Sequence, residues 1–401
     1  MRIAVVGLGA IGVQALWQLS KHEGVEVHGF DAAYPGHPEA GSGGESRLFW
    51  NLELAEPSYV PLIERAAIVW DALERESGAQ LRDRSGVLVL GESGNAQLAN
   101  GLESARRSGA PIELLDRHAL RRRFPQFDLQ DDAVGVWDVE GAVIRPEQTN
   151  VTTARLAAAN GANIHEFTPV SDIGLEGPGV SITTRHGTEH FDRAIVACGG
   201  WTPTVVPAIK EEVVARRLTS LWFTSVEDDH LAGMPPFLRA APHYTYGIPT
   251  KDGRAVKLGL GFNDHFVTGD ASKLPRRLEG EALENEIKKF DWIREQMLPG
   301  LAKRPYRVAT YVESYTTTMF EHIKPHPENE DVLVMAGFSG HGFRVAPAVG
   351  EIGAQLIMSG KSELDIGFLD AYPKAFEILD SFEGLTTHNS VMTTRGINEG
   401  G

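Results

Sequence analysis

The sequence predicts an α/β chain: a discontinuous domain of the Rossmann type with a mostly parallel sheet, and a second α+β domain built on a mostly antiparallel sheet. Three observations carry that prediction. The chain opens on a strand, a glycine turn, a helix and a second strand. The same α/β texture returns over 146–216 and 326–382. Over 86–145 and 217–325 the chain instead reads as short strands and turns, with a polar tail over 383–401.

The opening, "RIAVVGLGAIGVQALWQLSKHEGVEVHGFD", places a strand at Ile3 to Val6, a helix to Lys21 and a strand at Val25 to Phe30. Both strands are nearly continuous apolar runs, as a parallel sheet covered on both faces requires. In "PSYVPLIERAAIVWDALERESG", Leu62, Ala66, Val69, Trp70 and Leu73 recur at helical spacing, and Gly78 suits the stop. The segments "GVLVLG", "APIELLD" and "AVGVWDVEGAVI" read as strands. "RPEQTNVTTARLAAANGANIHEF" restores a helix, a stop at Gly161 and a strand, ahead of "VSITTR" and "HFDRAIVACGGW". From 217 onward, strands such as "SLWFTSV" and "AVKLGLG" surround a polar helical piece, "EGEALENEIKKFDWIREQML". "DVLVMAGF" and the apolar run from Val345 return the chain to the first domain.

Composition narrows the function. The chain has 401 residues, 42% of them apolar, enough for more than one core. A net charge of −16, without long runs of one sign, argues against nucleic acid or an anionic membrane as a partner. Arg121-Arg122-Arg123 reads as a solvated helix end. The one cysteine, Cys198, excludes internal disulfides and a cysteine-based metal site, and in "RAIVACGGW" it packs as a small hydrophobe. The first strand begins at residue 2 and no apolar run nears 18 residues. Neither leader nor membrane span is therefore expected, and a cytoplasmic location follows by default. His322 and His326 stand four apart, but Pro325 opposes the helix that would align them as metal ligands. No metal is expected.

Gly7-Leu8-Gly9-Ala10-Ile11-Gly12 follows a strand and opens a helix. Its glycines permit a tight turn and close approach of a pyrophosphate, and the helix start offers unpaired N–H groups. Asp31, at the end of the next strand, suits ribose hydroxyls. This context predicts dinucleotide binding but does not separate FAD from NAD. In "AGSGGESRLFW", glycines leave the backbone bare and Arg47 adds a cation, which suits a loop beside an extended cofactor. The stretch "GFSGHGFR", 337–344, has two readings, a hydrolase nucleophile elbow or a cofactor cradle. An elbow needs Gly-x-Ser-x-Gly, and His341 stands where its last glycine belongs. The cradle reading therefore prevails: a glycine-bare turn and a helix start facing an electron-rich group.

Across "VVGLGAIG", "GSGGESRLF", "AIVACGGWT", "YGIPTKDGRAVKLG" and "AGFSGHGF", the sequence resembles the monomeric sarcosine oxidase and N-methyltryptophan oxidase family of D-amino-acid-oxidase-like FAD enzymes, over nearly the whole chain to residue 382. The resemblance implies FAD held through Gly7, Gly9, Ala10, Ile11, Gly12 and Asp31. It implies Ser46 and Arg47 beside the flavin ring, with Gly340, His341, Gly342 and Phe343 at its pyrimidine edge. It also implies a substrate domain whose sheet covers the flavin. Lys257 falls where the family places a lysine over the flavin, a buried cation suited to stabilising superoxide as O₂ is reduced. Arg344 replaces a lysine that binds the substrate carboxylate; an Arg fork can supply two charge-assisted hydrogen bonds of about 1.5–3 kcal/mol each. Tyr246 matches a tyrosine of the substrate cavity.

Three departures qualify the resemblance. Trp50 replaces a second carboxylate-binding arginine, and Gly261 replaces an active-site histidine, which is expected to open the pocket on one side. The covalent flavin cysteine is missing from "VESYTTTMFEH", so noncovalent FAD is expected. The expectation is an oxidase of a secondary amine or N-substituted amino acid, acting on a small-molecule amine-like substrate and O₂ as a monomer or small homo-oligomer. The alternative is a dehydrogenase or biosynthetic tailoring enzyme that reacts slowly with O₂. An NAD-dependent dehydrogenase would share the first motif and leave the other matches unexplained.

Overall fold

The computed structural model describes residues 1–227, 229–240, 244–261, 267–268 and 270–373. The tail expected over 383–401 lies outside them. Arg2–Val6 is central to a six-stranded sheet, paired in parallel with Glu26–Phe30 and Arg193–Val196. Asn163–His165 and Asn329–Ala336 extend the sheet in parallel, and His322–His326 adds an antiparallel edge. The apolar runs alternate between two cores, as a period of two requires. Ile3 and Val5 face a cluster built with the helices Ala10–Leu19, Val60–Ser77 and Gly342–Ser359. Ala4 and Val6 face another cluster with Val180, Ile182 and Phe191 of a three-stranded antiparallel sheet. Two of these helices nearly touch: a Cβ on Gly350 would stand 2.4 Å from the Cβ of Gln14.

A nine-stranded sheet forms the second layer. Val213–Thr224 pairs antiparallel with Ala255–Leu260 and with Arg307–Thr316. Phe237–Arg239 pairs in parallel with Val87–Glu92, which joins the two chain segments expected to share this region. Leu258, Phe223 and Phe237 pack on its outer side with Ile287, Phe290 and Ile293.

Several elements differ from the sequence reading. The first helix ends at Leu19. The polar helix over 280–296 breaks at Phe290 into Gly280–Lys289 and Asp291–Gln296, and the break turns Ile287, Phe290 and Ile293 all toward the core. Val213–Thr224 runs across position 216 as one strand of the nine-stranded sheet, whereas His322–His326 joins the six-stranded one. Ala142–Ile144 pairs with Arg47–Phe49 and Arg82–Asp83 in a small sheet of its own. The last long helix starts at Gly342, ahead of the apolar run, so Arg344 lies in its first turn.

Candidate active site

A cavity of about 640 Å³ lies between the two sheets, lined at one end by the first glycine turn and Asp31 and at the other by 340–344. Gly7 takes φ +89°, and a Cβ there would stand 2.6 Å from the carbonyl oxygen of Ala197. A Cβ on Gly12 would stand 1.8 Å from the carbonyl oxygen of Gly7, so Gly12 closes the turn from behind and does not line the cavity. A Cβ on Gly9 would meet nothing nearer than Ser42 Oγ at 3.8 Å, which leaves the helix start bare toward the cavity. Gly9 caps that helix without a side-chain hydrogen bond, and no acid occupies the first turn. The N–H groups of Ala10 and Ile11 therefore face a region suited to negative charge. Asp31 accepts from Leu8 N–H and from Ala33 N–H, each at 2.7 Å, one per carboxylate oxygen. Each oxygen keeps a lone pair for a hydroxyl donor.

At the other end, Gly340, His341, Gly342 and Phe343 line the cavity at the start of the helix Gly342–Ser359, which has no side-chain cap. Ser339 is fully buried; its Oγ donates to Gly337 O at 3.0 Å and accepts from Thr316 N–H at 3.3 Å. That hydroxyl is structural, which removes the nucleophile-elbow reading. His341 Nδ1 lies 3.2 Å from Ser339 O, and Nε2 lies 2.9 Å from Glu321 Oε1. Tyr59 donates its hydroxyl to the same Glu321 oxygen. The Tyr59 hydroxyl also lies 3.1 Å from Nε2, so His341, Tyr59 and Glu321 form one buried polar cluster beneath the helix start.

The loop 41–47 forms one side. Arg47 lines the cavity, donates to Ser46 O and Gly41 O at 2.9 Å each, and lies 3.9 Å from Glu313. Ser46 and Lys257 do not line the cavity. Lys257 Nζ is buried beneath the loop and donates to Gly44 O and Ser46 O, both at 2.9 Å. Burial, and then the Arg47 charge, hold its pKa well below that of an ordinary lysine. Burial raises the Glu313 carboxyl above the usual range despite Arg47. Cys198 stays inert, its thiol pushed up to about 12 by burial.

The nine-stranded sheet supplies an aromatic wall. Tyr246 lines the cavity, lies 3.2 Å from Ser220 Oγ, and is raised in pKa chiefly by burial. Gly261 lines the cavity, but the space beside it is occupied. A Cβ there would fall 2.0 Å from the ring of Tyr244, which folds across the glycine and fills the space. Trp50 lines the cavity beneath Arg344, whose guanidinium carbon lies 4.1 Å from the ring centre. The guanidinium expected to meet a substrate carboxylate already holds one: Arg344 Nη2 lies 2.7 Å from Glu53 Oε2, with both side chains buried. Its Nη1 donates to Leu52 O at 3.2 Å and Trp50 O at 3.4 Å.

Sequence reasoning missed Glu53, Tyr244, Glu313, Glu321 and Tyr59. Glu313 carried a usable signal, because Tyr311, Glu313 and Tyr315 alternate along one strand and all line the cavity. Glu53 carried none, since its partner is 291 residues away. Among the described residues no cluster of His, Cys, Asp and Glu could hold a metal ion, and no helix is long and apolar enough to cross a membrane.

The fold and cavity define a Rossmann-type dinucleotide-binding protein whose second sheet closes over the far end of the cavity. The bare helix start suits a pyrophosphate, Asp31 a ribose, and the second uncapped helix start an electron-rich ring. FAD would fit that run of groups, with Gly7, Gly9, Ala10, Ile11 and Asp31 placed to hold its nucleotide end. The chain belongs to the FAD dependent oxidoreductase family, whose model matches residues 2–356. It is similar to a monomeric sarcosine oxidase of Streptomyces avermitilis, 29% identical over 382 residues, covering 92% of this chain and 96% of that protein. It is also similar to an N-methyl-L-tryptophan oxidase of Salmonella agona, 28% identical over 369 residues, covering 91% and 96%. Among solved structures, NikD, described as an unusual amino acid oxidase essential for nikkomycin biosynthesis, shares the fold with a TM-score of 0.78 at 21% identity, covering 94% of this chain and 98% of that one. The L-proline dehydrogenase from P. horikoshii does so with a TM-score of 0.78 at 21% identity, covering 92% and 96%.

Proposed function

We propose that this protein oxidises the C–N bond of a secondary amine or N-substituted amino acid, yielding an imine that water hydrolyses, with O₂ reduced to H₂O₂. Bound FAD, held without a covalent bond, would supply the hydride acceptor and the route to O₂. The observation that carries the reading is the pairing of a glycine-bare cradle at 340–343 with the aromatic wall of Trp50, Tyr244 and Tyr246 across one cavity. The relatives named for sarcosine and N-methyl-L-tryptophan oxidation support the same chemistry. Tyr246 and Trp50 shape the space in which the amine lies and exclude water from it. Arg47, braced by two carbonyls, holds its charge beside that space, and Lys257 lies buried one layer behind it. No described side chain is singled out as a general base, so the amine would react in its neutral form. We also assign it to the cytoplasm, as a monomer or small homo-oligomer.

The test is a peroxide assay on the purified yellow protein over a panel of N-alkyl amines, cyclic imino acids and sugar–amino-acid adducts. Amine-dependent H₂O₂ release is expected; a colourless protein, or a flavin that no amine reduces, would sink the proposal. A second reading, a dehydrogenase with slow O₂ reactivity, draws on the position of Lys257 behind the loop rather than on the cavity wall. Slow reoxidation of an amine-reduced flavin by O₂ would select it.

A further inference from the structure

The charges along the cavity point to a narrower substrate class. Three arginines line the cavity, and each has an acid beside it: Arg47 with Glu313 at 3.9 Å, Arg276 with Glu39 at 3.1 Å and Arg344 with Glu53 at 2.7 Å. The Arg344 pair is the most enclosed, with Arg344 only 4% exposed and Glu53 only 7%. Glu53 is not free to swing away. Its Oε1 accepts from Ala55 N–H at 2.9 Å and Glu56 N–H at 3.2 Å, and its own N–H donates to Ser104 Oγ at 2.7 Å. Arg344 is pinned as well, since Trp70 Nε1 donates to its carbonyl at 3.0 Å.

We propose that the enzyme selects amines whose flank beside Arg344 is uncharged, an amide in preference to a free carboxylate; this rests on the amine-oxidising reading above. A carboxylate entering there would lose its hydration and meet a guanidinium already neutralised by Glu53. The buried cluster would then carry a net negative charge, the condition that makes desolvated ions costly. An amide of the same shape brings no such charge. Trp50, Leu238 and Ile248, which line the cavity and pack in one cluster, favour an apolar body beside it. The preference is thus built by penalising one charge state rather than by adding contacts to the other.

Two matched pairs of probes test this on the holoenzyme. In calorimetric titrations, unreactive 3-phenylpropanamide is expected to bind at least about tenfold more tightly than 3-phenylpropanoate. Glu53→Gln, whose side-chain oxygen can still accept from Ala55 and Glu56, frees the Arg344 charge. It is expected to tighten the acid about tenfold and to change the amide by about threefold or less. Anaerobically, N-methyl-L-phenylalanine amide should reduce the wild-type flavin faster than N-methyl-L-phenylalanine. Tighter or equal binding of the acid to the wild type overturns the inference, as does failure of the amide to bind. An unchanged acid-to-amide ratio in a folded Glu53→Gln holoenzyme also overturns it. If that variant does not fold, the wild-type ratio decides alone. If neither amine reduces the flavin, the amine-oxidising reading fails, and the binding ratio still decides the charge preference.

Discussion

Around Gly7 to Gly12 the cavity wall is main chain, whereas around Trp50, Tyr244 and Arg344 it is side chain. The first region works through N–H groups at a helix start and through glycines that allow backbone to approach backbone. The second works through rings and a compensated ion pair drawn from a helix and loops far apart in sequence. The difference shows which properties each end can change. A main-chain cradle has little to vary without losing its ligand, while a side-chain wall can be redrawn for a new substrate with the cofactor still in place.

The largest expected effect breaks the main-chain end. Gly12→Val would drive side-chain atoms into the Gly7 carbonyl, where even a Cβ would stand at 1.8 Å. The purified variant should lack visible flavin absorbance, and a fully yellow Gly12→Val protein would refute the requirement for close approach there.

An intermediate effect is expected at Lys257, which ties the loop 44–46 to the nine-stranded sheet. If its charge assists O₂, Lys257→Met should slow flavin reoxidation about 100-fold, while stopped-flow anaerobic reduction changes far less. The pH dependence has a definite sign. Burial lowers the folded pKa, so the cation is lost as pH rises through a value well below 10.5. Wild-type reoxidation should therefore slow as pH rises through that point, and the variant should show no such step. Stability runs the other way: between the lowered pKa and that of the unfolded lysine, the unfolded chain binds more protons, so stability rises with pH.

The smallest effect sharpens the comparison at the second helix start. His341→Asn removes the ring paired with Glu321 while leaving the N–H groups of the helix. Its flavin midpoint potential should fall by about 30 mV, equivalent to about 1.4 kcal/mol for a two-electron couple. Equal potentials by dye-equilibrium titration would show that the main chain alone tunes this edge.

Legibility in the sequence followed the same divide. The strand, turn, helix, strand and acid of residues 2–31 are local, so spacing alone was enough to place Gly7, Gly9, Gly12 and Asp31 together. At Gly261 the sequence did not show Tyr244, because the room a glycine leaves there depends on strand register. Gly261 N–H bonds to Tyr244 O at 2.9 Å, next to the Thr245 and Leu260 pair, and only that pairing lays the Tyr244 ring over the glycine. Arg344 was read as a free fork because nothing near it in sequence announces Glu53. The helix start at Gly342 escaped the apolar periodicity, since His341 and Gly342 carry no hydrophobic pattern.

The parallel sheet has a consequence for how the chain is made. Arg193–Val196 inserts between Arg2–Val6 and Asn329–Ala336, so the cofactor layer needs strands from the beginning, middle and end of the described chain. During synthesis the first strand, turn and helix emerge early, but their sheet waits for more than 300 further residues to leave the ribosome. Such long-range pairing slows folding and leaves strand edges bare in the interval. Flavin supplied to the nascent chain would find half a cradle, and saturation with cofactor is expected only after the last long helix has docked.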